Sequence, residues 1–196
     1  GMAFANAVAG LEEGIVDLHH DTFHDHGHIT VGGSRLRCWK SGGHGTQTFL
    51  EVVQNSCNPG FVHLGQELGK ERLFTYIDKF GFGKKTGIDL QGEGSGILFD
   101  LDRVGPVELG TTAFGQGVSV TPIQQVMAVA AAVNGGYLYT PYIADEWLDP
   151  ITGEVLYKHE PKLKNRVISE ETSKQIREAL ESVVAQGTGR PAYVDG

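Results

Sequence analysis

Twenty-eight glycines are spread along these 196 residues without any repeat. Glycine loses more backbone freedom on folding than other residues and gathers in turns, so a chain this rich in it folds with many loops. The rest of the composition still supports a core. Hydrophobic residues make up 40% and charged residues 20%. One soluble globular domain of this length buries about two-thirds of its unfolded surface. The formal net charge is −8, and the basic residues form no long run. That excludes nucleic acid as a partner class, because phosphate binding needs clustered cations. No stretch approaches the roughly 20 apolar residues of a membrane span. The opening "GMAFANAVAG" lacks the charged start and long apolar core of a signal peptide.

Periodicity divides the chain into helices and short extended pieces. "MAFANAVAGLEEGIVDL" reads as the tail of a helix that Gly14 stops. "DTFHDHGHITVGGSRLRCWKSGGHG" alternates β-prone residues with Gly and Asp, the pattern of a hairpin and extended segments. Thr46 is read as the cap of a helix carrying Phe49, Val52 and Val53. Asn58 is read as the cap of the next helix, with Pro59 at its first position. A third helix is "KERLFTYIDKF", and "GFGKKTGIDLQGEGSG" is turn-rich. "VTPIQQVMAVAAAVNGG" has capping-box spacing between Thr121 and Gln124. Its body is apolar nearly all round, which predicts a buried central helix. Two strands are expected around the turn Asp149–Gly153. Ser169 caps a last helix whose buried stripe is Ile176, Leu180, Val183 and Val184. Trp39 and Trp147 read as packing residues.

Within this frame "NSCNPG" has two readings. Asn58-Pro59-Gly60 marks a boundary between helices. Ser56-Cys57-Asn58 also spells S-x-N, a triplet that by spacing alone is a very weak signal.

Five strings in one order give it company: "LRCWKSGGHG", "NSCNPGF", "FGFGKKTGIDLQGE", "TTAFGQGVSVTPIQ" and "VVAQGTGRPAY". Together they resemble the transpeptidase domain of class B penicillin-binding proteins, above all its sporulation branch. The resemblance runs from about Ala9 onward. It implies serine acyl-transfer on peptidoglycan stem peptides by the motifs S-x-x-K, S-x-N and K-T-G. The substrate group is D-Ala–D-Ala, which β-lactams mimic. The reaction needs no cofactor and no metal. Ser56 and Asn58 take the catalytic S-x-N roles. Ser56 relays a proton, and Asn58 also binds substrate by hydrogen-bonding its backbone amide.

The other two motifs do not fall into place. None of the serines has a lysine three residues on. Lys85-Thr86-Gly87 spells K-T-G but lies in the turn-rich stretch, close to Ser56 in sequence, where the family has no cleft-facing strand. The expectation is therefore a partial transpeptidase domain over residues 1–196, lying between the first and last motifs and inactive by itself. It should be helix-rich α+β: the helical subdomain with peripheral hairpins, lacking most of the central sheet. A helix face meant for that sheet is then exposed, a route to self-association. The full-length protein is expected to be extracytoplasmic and membrane-anchored, with the anchor outside this sequence.

Two clusters remain. Cys38 and Cys57 are either two buried free thiols or a disulfide. In an exported protein that bond would close a loop of about 20 residues, worth about 3 kcal/mol in the chain-entropy model. "DLHHDTFHDHGH" holds His19, His20, His24, His26 and His28. On an extended segment the last three share a face. This allows a rival reading, a non-catalytic metal-binding or interaction module. The plainer alternative is a solvated polar hairpin.

Overall fold

The computed structural model describes residues 1–195. The chain opens with α1 (Met2–Glu12), followed by the strands β1 (Thr22–Asp25), β2 (His28–Val31), β3 (Ser34–Arg37) and β4 (Gly45–Thr48). Helices α2 (Phe49–Gln54), α3 (Asn58–Leu68), α4 (Lys70–Lys79) and α5 (Pro106–Ala113) come next. The last part holds α6 (Pro122–Val133), β5 (Tyr137–Tyr139), β6 (Glu146–Leu148), β7 (Val155–Lys158), β8 (Leu163–Arg166) and α7 (Glu170–Gln186).

α1 is the helix on which the others assemble. It packs against α3, α4, α5 and α7. Its small residues Ala5, Ala7, Ala9 and Gly10 are buried with Val8 and Leu11, so neighbouring helices approach closely. A side chain at Gly10 would collide with Leu64 of α3. The buried amide of Asn6 ties three helices together. Its Nδ2 donates to Phe61 O at 2.8 Å and to Ala113 O at 3.1 Å. Phe80, Phe82, Leu73 and Ile77 close the core on the α4 side.

Among the described residues, the strands form four two-stranded antiparallel ribbons: β1–β4, β2–β3, β5–β8 and β6–β7. This is the expected helix-rich α+β arrangement with hairpins at its edges. The β2–β3 hairpin turns through Gly32 and Gly33, both at positive φ, as a two-residue turn between twisted strands requires.

Several expectations are corrected. Thr46 caps no helix. It pairs with His24 inside the β1–β4 ribbon. Thr48 starts α2 instead. Its hydroxyl accepts from Glu51 N at 3.3 Å, and the Glu51 carboxylate accepts from Thr48 N at 3.1 Å. α6 begins as read, with Thr121 and Gln124 forming a capping box. Yet it is not buried all round: it packs on β5 and α7, and Val126 is 60% exposed. In α7 only Ile176 of the expected stripe is fully buried, with Ala179 beside it. Leu180 and Val183 line an open cavity. Trp39 and Trp147 are 60% and 63% exposed, so neither is a core residue.

Candidate active site

Ser56, Cys57 and Asn58 occupy the turn between α2 and α3. The turn forms because Ser56 adopts φ 50°, the sole positive φ at a non-glycine among the described residues. Such a conformation costs about 1–3 kcal/mol and persists only where its surroundings fix it. Here it sends alternate side chains to opposite sides. Ser56 is exposed and Asn58 half-buried, while Cys57 points into the core with no exposed surface.

The surroundings hold the turn from several directions. Ser56 Oγ and Thr188 Oγ1 share a hydrogen bond at 3.2 Å. Thr188 N donates to Gln54 O at 3.0 Å, joining the end of α7 to the end of α2. Trp39 Nε1 donates to Asn55 O at 2.8 Å, and Asn55 Nδ2 donates to Gln47 Oε1 at 2.9 Å. Asn58 Nδ2 donates to Arg37 O at 3.3 Å. That last contact corrects the reading of Asn58 as a helix cap. α3 already includes Asn58, Cys57 is the residue before it, and no side chain caps the helix. The amide is thus directed across to β3.

Ser56 and Asn58 lie on the rim of a cavity of about 330 Å³ whose walls include Phe4, Phe61, Phe114 and Ile176. A polar pair at the edge of an apolar hollow is a suitable place to orient an extended peptide.

Lys85-Thr86-Gly87 is not on a strand. Thr86 and Gly87 both donate backbone N–H to the Glu93 carboxylate, at 2.6 and 3.1 Å, and Lys164 Nζ donates to Thr86 O at 2.6 Å. Thr86 is buried, and the tripeptide braces a loop against β8.

The two cysteines are free thiols, so the disulfide alternative is not what the structure contains. Both instead meet a buried carboxylate that sequence reasoning missed. Asp25 ends β1, with Oδ1 accepting from Gly27 N at 2.8 Å. Its Oδ2 accepts from His44 N at 2.9 Å and lies 2.9 Å from His44 Nδ1. Cys57 Sγ donates to the same oxygen at 3.4 Å. Cys38 Sγ lies 3.3 Å from His44 Nδ1. Burial opposes ionisation of Asp25. Even so, hydrogen bonds from Cys38, Gly27 and His44 hold its carboxyl well below the usual carboxylate range. Burial pushes the Cys57 thiol up to about 12, and burial together with the Asp25 contact raises Cys38. Nothing in the spacing announces this group. The antiparallel β1–β4 register and the turn at Gly43, where a Cβ would strike Asp25 O, bring it together.

The histidine-rich segment does not converge in the same way. His19 contacts Glu178 at 2.8 Å, His20 contacts Asp17 at 2.8 Å, and His24 contacts Thr46 at 2.9 Å. His26 and His28 meet edge to face.

Comparison with known proteins then decides the family. The profile of the penicillin binding protein transpeptidase domain matches residues 4–195. The chain belongs to the penicillin-binding transpeptidase family. It is 73% identical over 189 residues to stage V sporulation protein D of Bacillus subtilis, covering 96% of this chain and 29% of that protein. It is 32% identical over 197 residues to the peptidoglycan D,D-transpeptidase MrdA of Acinetobacter baumannii, covering 94% of this chain and 29% of that one. Its fold matches the crystal structure of penicillin binding protein 3 from Mycobacterium tuberculosis with a TM-score of 0.89 at 29% identity, covering 100% of this chain and 45% of the other. The same mycobacterial protein has been solved in complex with aztreonam and with ampicillin. The chain therefore spans under a third of the length of these curated relatives.

Proposed function

We propose that this chain is the segment of a peptidoglycan D,D-transpeptidase that forms the S-x-N edge of its active cleft. The carrying observation is the Ser56–Asn58 turn. It sets Ser56 outward at positive φ and leaves Asn58 at the rim of the cavity, with Cys57 turned inward between them. In a serine acyl-transfer reaction, a nucleophilic serine attacks the D-Ala–D-Ala carbonyl and an amine later accepts the acyl group. No S-x-x-K motif occurs in these residues, so that serine and its lysine are assigned to other parts of the polypeptide. Ser56 then passes a proton between the lysine and the leaving amine, a task for a short hydroxyl on a rigid turn. Asn58 holds the peptide by its backbone amide. The Thr188 contact sets the direction of the Ser56 hydroxyl before substrate arrives.

The likeness to stage V sporulation protein D supports a role in spore cortex synthesis, with stem peptides and β-lactams as the ligands of the full-length protein. Such a protein works outside the cytoplasmic membrane and is anchored to it. No helix described here is long and apolar enough to cross a membrane.

The test uses a full-length protein containing this segment. Ser56→Ala and Asn58→Ala should each slow acylation by a fluorescent penicillin about 100-fold or more, the range of a lost proton-transfer or orienting group. Wild-type rates in both variants would remove the proposal.

A further inference from the structure

We propose that Asp25, Cys38, His44 and Cys57 form a structural zinc site beneath the Ser56–Asn58 turn. Their ligand atoms, one from each residue, all lie within 4.8 Å of one another. Among the described residues no other set of His, Cys, Asp and Glu side chains converges in this way. The set is closed to solvent: Asp25 is 1% exposed, Cys38 9% and Cys57 0%, and the His44 side chain is 5% exposed.

The chemistry of the four groups selects the metal. Two thiolates, an imidazole and a carboxylate form a soft to borderline tetrahedral set, which suits Zn²⁺ over Mg²⁺ or Ca²⁺. Zinc bonds of about 2.0–2.3 Å in a tetrahedron place ligand atoms roughly 3.3–3.8 Å apart. The contacts found are 2.9 Å from Asp25 Oδ2 to His44 Nδ1, 3.3 Å from Cys38 Sγ to the same nitrogen, and 3.4 Å from Cys57 Sγ to Oδ2. Around an ion the shorter contacts open by a few tenths of an ångström, and any pair near the 4.8 Å limit closes by about 1 Å. Binding displaces the two thiol protons. It leaves a site of net charge −1: Zn²⁺ with two thiolates, one carboxylate and a neutral imidazole.

The supporting contacts are those of a built site. Lys40 N donates to Cys38 Sγ at 3.4 Å, and Gly27 N holds the second oxygen of Asp25. Such outer bonds orient the ligands of structural metal sites. With protons alone, one buried carboxylate contacts the Cys57 thiol and the His44 imidazole, and the Cys38 thiol sits against the same imidazole nitrogen. A metal ion gives all four side chains a common purpose. All four positions are filled by protein, so the ion holds structure and offers no open place for substrate. It joins β1, the β3–β4 connection and the start of α3, the three segments around Ser56 and Asn58.

The inference is independent of the transpeptidase reading, and its test needs no activity. The chain is purified without a metal-affinity column, exposed to Zn²⁺, desalted and assayed for metal. About one zinc per chain is expected to be retained, and removing it with a chelator should lower the melting midpoint. Co²⁺ should give the intense visible bands of a tetrahedral site with thiolate charge transfer. Cys38→Ser and His44→Ala should lose the metal, whereas the triple variant His24→Ala, His26→Ala, His28→Ala should keep it. If the cysteine and histidine variants do not fold, the cobalt spectrum of the wild-type chain decides. Less than about 0.1 equivalent of zinc, a cobalt spectrum without thiolate bands, or loss of metal only in the triple histidine variant overturns the proposal.

Discussion

Ser56 carries the clearest single-residue tension in the structure. A non-glycine residue at φ 50° costs stability that glycine would not. Ser56→Gly is therefore expected to raise stability by about 1 kcal/mol, after allowing for the extra freedom glycine has in the unfolded chain. Urea titration of both proteins measures this, and a fall in stability would show that the hydroxyl contact to Thr188 outweighs the backbone strain. The sequence carried the identity of this residue but not its conformation. S-x-N became readable through its neighbours in the chain, whereas the positive φ depends on contacts from Trp39, Gln47 and Thr188, which are distant in sequence. Asp25 and His44 were illegible for the same reason. Twelve residues separate Asp25 from Cys38, five separate Cys38 from His44 and twelve separate His44 from Cys57. Only strand register makes them neighbours. Asn58 was misread because a helix-starting Asn usually turns its side chain back on its own helix, and here Arg37 O captures it.

Helix starts were the most legible elements, since caps are local chemistry. Thr121 with Gln124 and Ser169 with Thr172 are where the sequence places them. Thr48-x-x-Glu51 is just as readable in the sequence, a capping box two residues beyond Thr46. Gln124 does more than cap. It is 1% exposed, and its Nε2 donates to Lys84 O at 2.7 Å and to Ser95 O at 2.8 Å. It thereby fastens the turn-rich loop to the first turn of α6. Gln124→Leu keeps the volume but leaves two carbonyls without that donor, and should cost roughly 2–3 kcal/mol. Chemical denaturation is the measurement, and a change below about 0.5 kcal/mol would mean that water or a shifted loop replaces the bonds. Burial was harder to read than capping. The alanine-rich body of α6 fits a buried helix and a one-sided helix equally well, and the packing partners decide between them.

For the molecule as a whole, the helix-rich character and the peripheral hairpins could be read from periodicity and turns. The pairing of β1 with β4 and of β5 with β8 could not, because each pairing closes over other elements. The exposed apolar residues also belong to this scale. Trp147, Leu148, Val155, Leu156 and Tyr157 stand out on the β6–β7 ribbon, and Val126 on α6. Patches of this kind favour association, so sedimentation at rising concentration should show a growing dimer fraction. A single monomer species across the range would dismiss that expectation. Labelled penicillin should leave the 196-residue chain unmodified, since no serine in it has a lysine three residues on. Covalent labelling of any serine, read by intact-mass spectrometry, would contradict this. The ribbons have a further consequence. A two-stranded ribbon has no interior strand, so among the described residues each of the eight strands in the four ribbons has a hydrogen-bonded strand on one side only. The β6–β7 ribbon is exposed along both strands, so its outer edges are a template for a further strand. A strand arriving from elsewhere in a longer polypeptide, or from a second copy, would meet a row of backbone donors and acceptors already set at the right spacing.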